Sequence, residues 1–304
     1  MVRREFLIAS LLQNRPAPAV AGSTLVHEHV IVDFAGVAST AKYDRAEVFR
    51  IARPKLEELK PLGCVRMLEC TPNGLGRDAR LLKMLEDATG IELWTNTGIY
   101  GAAKRAGVPD YARTETAREL AKRWAAEWKN GVDGVKPRFI KTGVNGFPLE
   151  ELDRKLVEAA ALTSLETGLT IASHTNGGGP AAEAQLEILA SLKCPASKFV
   201  WVHAQSEKDH GYHERAARAG AWVEFDGISE KSAGWHRDCV LYMKDKGLLG
   251  RTLVSQDAGW YHVGEPGGGS YRGYTYLYTT FLPLLPPETW KTLLVDNPRR
   301  AFGG

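Results

Sequence analysis

Leu169-Thr170-Ile171-Ala172-Ser173-His174 and Phe199-Val200-Trp201-Val202-His203 bracket a helical pattern near 181–192, and this strand, helix, strand succession decides the fold. Each apolar run is too short for a helix and rich in β-branched or aromatic residues, which suits a strand buried on both faces. Two such strands joined through a helix pair in parallel. The same alternation extends in both directions. Candidate strands fall at 24–30, 64–69, 91–96, 138–141, 170–174, 199–203, 221–225 and 252–256. Helical patterns lie between them near 43–60, 77–89, 114–129, 149–167, 181–192, 207–219 and 232–247, with a last one at about 288–295. In the second, Leu81, Leu82, Leu85 and Ala88 recur at helical spacing and Gly90 follows as a stop, as Gly168 does after Thr167. Eight strands each followed by a helix predict an α/β chain closed into a (β/α)8 barrel, with an open doubly wound sheet as the alternative.

Composition sets few further limits. The 304 residues suit one large barrel, and 44% hydrophobic with 25% charged residues is ordinary for a globular chain. A formal charge of +3 from 39 basic and 36 acidic residues forms no basic stripe, and no nucleic-acid-binding signature is present, so nucleic acid is not an expected partner. No apolar run reaches the roughly 18 residues of a membrane span. Cys64, Cys70, Cys194 and Cys239 are scattered and suggest neither a disulfide framework nor a zinc scaffold.

The N-terminus divides from the rest. Arg3-Arg4 followed by Phe6-Leu7-Ile8-Ala9-Ser10-Leu11-Leu12 resembles a twin-arginine export signal, with Ala19-Val20-Ala21 as its cleavage site. Residues 1–21 are read as that signal, which would deliver the protein to the periplasm. The alternative is an amphipathic arm on a cytoplasmic protein, because Gln13-Asn14-Arg15-Pro16 cuts the apolar run short. Residues 22–304 form one domain, and a homodimer is expected.

Two irregular segments, 98–110 and 259–274, follow the third and eighth strands, at the strand ends where such folds carry function. The second combines Gly264, Gly267, Gly268 and Gly269 with Trp260, Tyr261, Tyr271 and Tyr274. It reads as a substrate loop with aromatic contact surface, or else as a floppy connection.

The chemistry-bearing residues gather at the same ends. In His27-Glu28-His29, strand alternation points the two imidazoles to one side and Glu28 to the other. Alone the pair is a weak signal. His174 and His203 end apolar strands, Asp257 follows Thr252-Leu253-Val254-Ser255-Gln256, and Lys141 ends Arg138-Phe139-Ile140. Ionisable groups in such contexts are costly unless paired or bound to metal, so together they point to a metal site. A lone lysine there would otherwise be a snorkelling side chain. His210, His213 and His236 lie in polar helical stretches and read as solvated surface; His262, in the last loop, is either a substrate contact or a bland loop residue.

In order and strand placement these residues resemble the phosphotriesterase family of the amidohydrolase superfamily. The resemblance runs from Thr24 to about Phe302 through Thr24-Leu25-Val26-His27-Glu28-His29, Ile140-Lys141, Ser173-His174-Thr175, Val202-His203, Ser255-Gln256-Asp257 and the closing Asp296-Asn297-Pro298-Arg299-Arg300. It implies a binuclear metal site at the C-terminal ends of the strands. His27, His29 and Asp257 would hold one divalent ion and His174 and His203 the other, with carbamylated Lys141 and a hydroxide bridging them. Zinc suits these ligands, as would manganese, iron or cobalt. The implied reaction is attack of that hydroxide on an ester-type bond, with Asp257 also catalytic as the proton acceptor.

Departures from the family narrow the reading. Ser206 and Gly227 stand where its triester hydrolases have an aspartate and a histidine of their proton relay. Asp226 is retained and is expected, with Tyr100, Trp260 and Tyr261, to contact substrate. Thr97-Gly98-Ile99-Tyr100 resembles the family's lactonase branch, which favours a small lactone or carboxylic ester over an organophosphate triester. Only Gln13 to Ser23 could replace the family's hairpin before the first strand. A metal-containing but noncatalytic ligand-binding barrel is the alternative outside enzymes.

Overall fold

The computed structural model describes residues 18–303. Arg3 and Arg4, on which the export reading rests, lie outside them. Among the described residues no helix is long and apolar enough to cross a membrane.

Three strands, β1 (Ser23–Glu28), β3 (Cys64–Glu69) and β4 (Glu92–Trp94), pair in parallel in that order. Six more form a second parallel sheet: β5 (Asn96–Thr97), β6 (Phe139–Val144), β7 (Ile171–Thr175), β8 (Phe199–Val202), β9 (Trp222–Phe225) and β10 (Thr252–Val254). Between β1 and β3, the short β2 (Ile31–Val32) pairs with β11 (Tyr261–His262). Hydrogen bonds cross both gaps between the two larger sheets. Arg138 N donates to Thr95 O at 2.9 Å, while Asp257 N donates to His27 O at 3.1 Å and His29 N to Ala258 O at 2.8 Å.

The helices are α1 (Arg45–Glu57), α2 (Ala79–Thr89), α3 (Asp110–Thr114), α4 (Ala117–Asn130), α5 (Glu151–Thr167), α6 (Gly178–Ser191), α7 (His210–Arg218), α8 (Ala233–Asp245) and α9 (Asn297–Phe302). Sequence chemistry sets their ends. Asp78 caps α2 by accepting from Leu81 N, and Gly90 closes it in the left-handed conformation. A reciprocal Thr116–Glu119 capping box starts α4. Leu81, Leu82 and Leu85 are buried, as the apolar spacing expects, while Ala88 is exposed and Thr89 completes the packed face.

Several boundaries differ from the sequence expectation. The third strand divides into β4 and β5 at Thr95. The fourth continues past Lys141 through Thr142, Gly143 and Val144, all buried, so Lys141 lies inside a strand and not at its end. In place of one helix at 288–295, a wide turn at Thr292–Asp296 leads into α9, because Pro298 lacks a backbone donor and fits a helix start. The 259–274 segment is built and not floppy: β11 pairs with β2, and Gly259 bridges Arg272.

Candidate metal centre

His27 is the last residue but one of β1, which Glu28 ends, and His29 follows directly. The segment carrying Asp257 is bound to them from below. Glu28, fully buried on the opposite side, accepts hydrogen bonds from Ser255 Oγ (2.8 Å), Gln256 N (3.1 Å) and Ala258 N (2.7 Å). One carboxylate thereby fastens the end of β10 to the end of β1 and delivers Asp257 beside the two imidazoles. Burial pushes the Glu28 carboxyl up to about 7.

The donor atoms converge. Ligand atoms of His27, His29 and Asp257 lie within 4.8 Å of one another. Asp257 Oδ1 is 3.1 Å from His29 Nε2 and 3.8 Å from His27 Nε2. Lys141 Nζ lies 3.1 Å from His27 Nε2, and the rings of His174 and His203 meet edge to face at 4.3 Å. Six side chains from β1, β6, β7 and the ends of β8 and β10 thus share one cavity of ≈ 180 Å³. Asp257 Oδ1 is buried and has no hydrogen-bond partner among the described residues, a state that a bound cation would relieve. The donors present therefore fit a metal.

His29 is held in a tautomer suited to ligation. Thr71 Oγ1 donates to Ile31 O at 2.7 Å and so accepts from His29 Nδ1 at 2.8 Å, leaving Nε2 with its lone pair toward Asp257. Burial lowers His29 to about 4. It also holds His174 well below the usual range, with the neighbouring His203 adding to the effect. Both rings stay neutral, as metal ligands must. Burial opposes ionisation of Asp257, but His27 and His29 outweigh it and hold the carboxyl well below the ordinary aspartate value.

Of the expected substrate contacts, Tyr100 and Trp260 line the cavity, joined by Phe34, Cys70 and Leu75. Tyr100 sits with its ring 5.0 Å from that of His174, and burial pushes its phenol up, so it remains a donor. The Trp260 ring stacks on His29 at 3.7 Å while its Nε1 donates to Asp257 O at 2.7 Å. Asp226 and Tyr261 depart from the expectation. Asp226 is fully buried beneath the histidines and accepts from His203 N at 2.9 Å and from His203 Nδ1; it orients a histidine and does not face the cavity. The Tyr261 ring lies against Gly268, where a Cβ would meet it at 2.1 Å.

The surface reading of His213 and His236 is also corrected. Both are buried: His213 Nε2 donates to Ala204 O at 2.8 Å, and His236 Nε2 to Asp226 O at 2.6 Å. Each lies on the apolar face of its helix, with Ala216 and Ala217 in α7 and with Ala233, Val240 and Met243 in α8. That helical spacing was present in the sequence. His262 is half-buried, its ring 5.8 Å from Phe34 and 6.2 Å from Trp260. Sequence reading also missed Glu224, whose Oε1 lies 2.7 Å from His27 Nδ1. Its one signal was the alternation that places it two residues before Asp226 on the same side of β9.

Parallel strands whose ends bring together imidazole and carboxylate donors in one cavity make a site fit for divalent metal, the arrangement that metal-dependent hydrolases use. The model of the phosphotriesterase family matches residues 13–302, and the chain belongs to that family. It is 28% identical over 292 residues to a phosphotriesterase homology protein of Escherichia coli, covering 92% of this chain and 98% of that protein. It is 28% identical over 263 residues to a phospho-furanose lactonase of Mycoplasmopsis synoviae, covering 76% and 73%. Among solved structures, a variant of a phosphotriesterase-like lactonase from Deinococcus radiodurans superposes with a TM-score of 0.84 at 24% identity, over 96% of this chain and 99% of that one. That likeness is one of fold.

Proposed function

We propose that the chain hydrolyses a lactone or carboxylic ester, using two divalent metals, zinc by preference, at the C-terminal face of a closed (β/α)8 barrel. The hydrogen bonds across both sheet gaps support closure. In this reading His27, His29 and Asp257 would hold one ion and His174 and His203 the other, with carbamylated Lys141 as a shared ligand. The observation that carries it is the buried Asp257 Oδ1, without a hydrogen-bond partner among the described residues and facing two imidazole nitrogens. Lys141 supports it too, being 2% exposed with its Nζ against an imidazole. Carbon dioxide adding to the Lys141 amine, with loss of a proton, would give a carbamate, an anion whose burial bound cations would offset.

When bound, such a metal pair acidifies water and polarises a carbonyl oxygen. The chain supplies the rest. Asp257 accepts the proton lost by the attacking water at its carboxylate and returns it to the leaving oxygen. Tyr100 offers its phenol as a donor on the His174 side of the cavity, and Trp260 forms a flat wall over His29. Ser206 and Gly227 offer no carboxylate or imidazole to carry the proton onward, which weighs against a triesterase relay. The phospho-furanose lactonase among the relatives agrees with this preference.

The test is a screen of the zinc-reconstituted protein against lactones, aryl esters and an organophosphate triester. Lactone turnover should lead, and Asp257→Asn should lower it by about 10²–10⁴-fold while keeping some metal. A triester rate far above every lactone overturns the substrate assignment. Lys141→Ala that loses both metals, in a protein whose wild type hydrolyses nothing, would favour the noncatalytic barrel.

A further inference from the structure

Strand β9 carries two carboxylates on one side, Glu224 within it and Asp226 directly after it, and both are fully buried. Each has a different principal imidazole. Asp226 accepts from His203, and Glu224 Oε1 lies 2.7 Å from His27 Nδ1. Asp226 Oδ2 is 3.4 Å from the same His27 nitrogen, a longer and secondary contact. The two histidines belong to opposite halves of the proposed metal pair.

The carboxylates also differ in how they are held. Asp226 is braced throughout: Gln205 donates to its Oδ1 at 3.1 Å and accepts from its backbone N at 3.1 Å, and His236 donates to its carbonyl. Glu224 has no such brace, and its Oε2 is buried without a partner among the described residues. A buried carboxylate with one free oxygen is unfavourable for folding alone. What it provides is a fixed His27 ring. With Nδ1–H donated to Glu224, the His27 Nε2 lone pair is presented 3.1 Å from Lys141 Nζ and 3.8 Å from Asp257 Oδ1. A carboxylate behind an imidazole also makes its far nitrogen a stronger metal donor.

We infer that Glu224 is the positioning residue for His27 and governs retention of the cation in the His27–His29–Asp257 half, separately from Asp226, which serves the His174–His203 half. This rests on the two-metal reading above. Glu224 does not line the cavity, so it acts through His27 and not on substrate.

The experiment measures zinc stoichiometry and the rate of zinc release to a chromophoric chelator in zinc-loaded wild type, Glu224→Gln and Glu224→Leu. Wild type should hold two zinc ions. Glu224→Leu should release one of them about 10–100-fold faster and leave the other near its wild-type rate. Glu224→Gln, whose amide oxygen still accepts from Nδ1–H, should fall between. Adding His29→Ala to Glu224→Leu should abolish the fast-released ion and leave the slow one, whereas adding His174→Ala should remove the slow one. Wild-type release of both ions from the Glu224 variants, or equal acceleration of both, overturns the inference. If Glu224→Leu does not fold by circular dichroism, Glu224→Gln decides by the same criterion. A wild type that binds fewer than two zinc ions overturns the two-metal reading, and this inference with it.

Discussion

His203, Asp257 and Trp260 take left-handed backbone with φ of 64°, 51° and 77°, a conformation that costs a non-glycine residue about 1–3 kcal/mol. All three line the proposed metal cavity, and the bonds that hold them there are the ones that aim their side chains. His213 illustrates a buried residue outside that cavity whose chemistry can be tested separately. Its Nε2–H is committed to Ala204 O, so its Nδ1 accepts from His210 Nδ1 at 3.1 Å. Burial lowers its pKa from 6.5 to about 4. Between those values the unfolded chain binds a proton that the folded chain refuses, so this contribution to stability is complete above pH 6.5. It falls as pH drops to about 4, by on the order of 3 kcal/mol. His213→Gln should therefore be less stable than wild type in urea at pH 7.5, with the gap narrowing or reversing at pH 5. Parallel losses in the two proteins would remove His213 as the cause. At this scale the six residues that share the cavity were legible, because a histidine, lysine or aspartate in or just after an apolar strand conflicts with its surroundings. Glu224 and Thr71 were not, because their partners are 197 and 42 residues away; the local pattern sets the side on which Glu224 points and does not name the imidazole it meets.

Among the elements, the segment after β5 is held across to α5 by one arginine. Arg105 donates to both oxygens of buried Asp153, to Glu150 at 2.9 Å and to Gly101 O at 2.6 Å, next to Tyr100. Ala103, Lys104 and Arg105 are all left-handed there, with φ of 47°, 53° and 69°. These contacts offset that strain and keep Tyr100 on the cavity wall. Arg105→Ala strands the Asp153 carboxylate in the interior with Asn145 N at 3.3 Å as its remaining donor, and should destabilise the protein by about 3–5 kcal/mol. It should raise KM more than it lowers kcat, with metal content unchanged. Adding Asp153→Ala should recover much of the stability but not KM; recovery of both would show that the latch serves folding alone. The existence of the elements could be read because apolar periodicity changes between strand and helix. Their breaks could not. The pause at Thr95, the run of β6 through Gly143 and the pairing of β11 with β2 depend on neighbours far along the chain.

The whole molecule gathers Glu28, Glu69, Glu224, Asp226 and Asp257 with four histidines and Lys141 around the ends of its strands, most of them fully buried. Glu69 is pushed up to about 7 by burial despite hydrogen bonds from Val30 N and Thr71. So dense a polar interior is expensive without a counter-charge. The apolar core surrounding it, from Leu25 and Met67 to Phe225 and Leu293, supplies the stability that keeps it assembled. A ligand that binds the folded state alone adds stability by mass action, about 2.7 kcal/mol at a hundred times its dissociation constant. For a chain of 304 residues that is roughly 4 °C. Exhaustive chelation should therefore lower Tm by that much, and zinc, cobalt or manganese should restore it where calcium does not, because calcium prefers an all-oxygen shell to imidazole. Lys141→Ala should have a lower Tm than metal-loaded wild type and gain little from added zinc. Equal melting of the chelated and zinc-loaded wild type would mean that the buried charges balance without a metal, and the two-metal reading would fail.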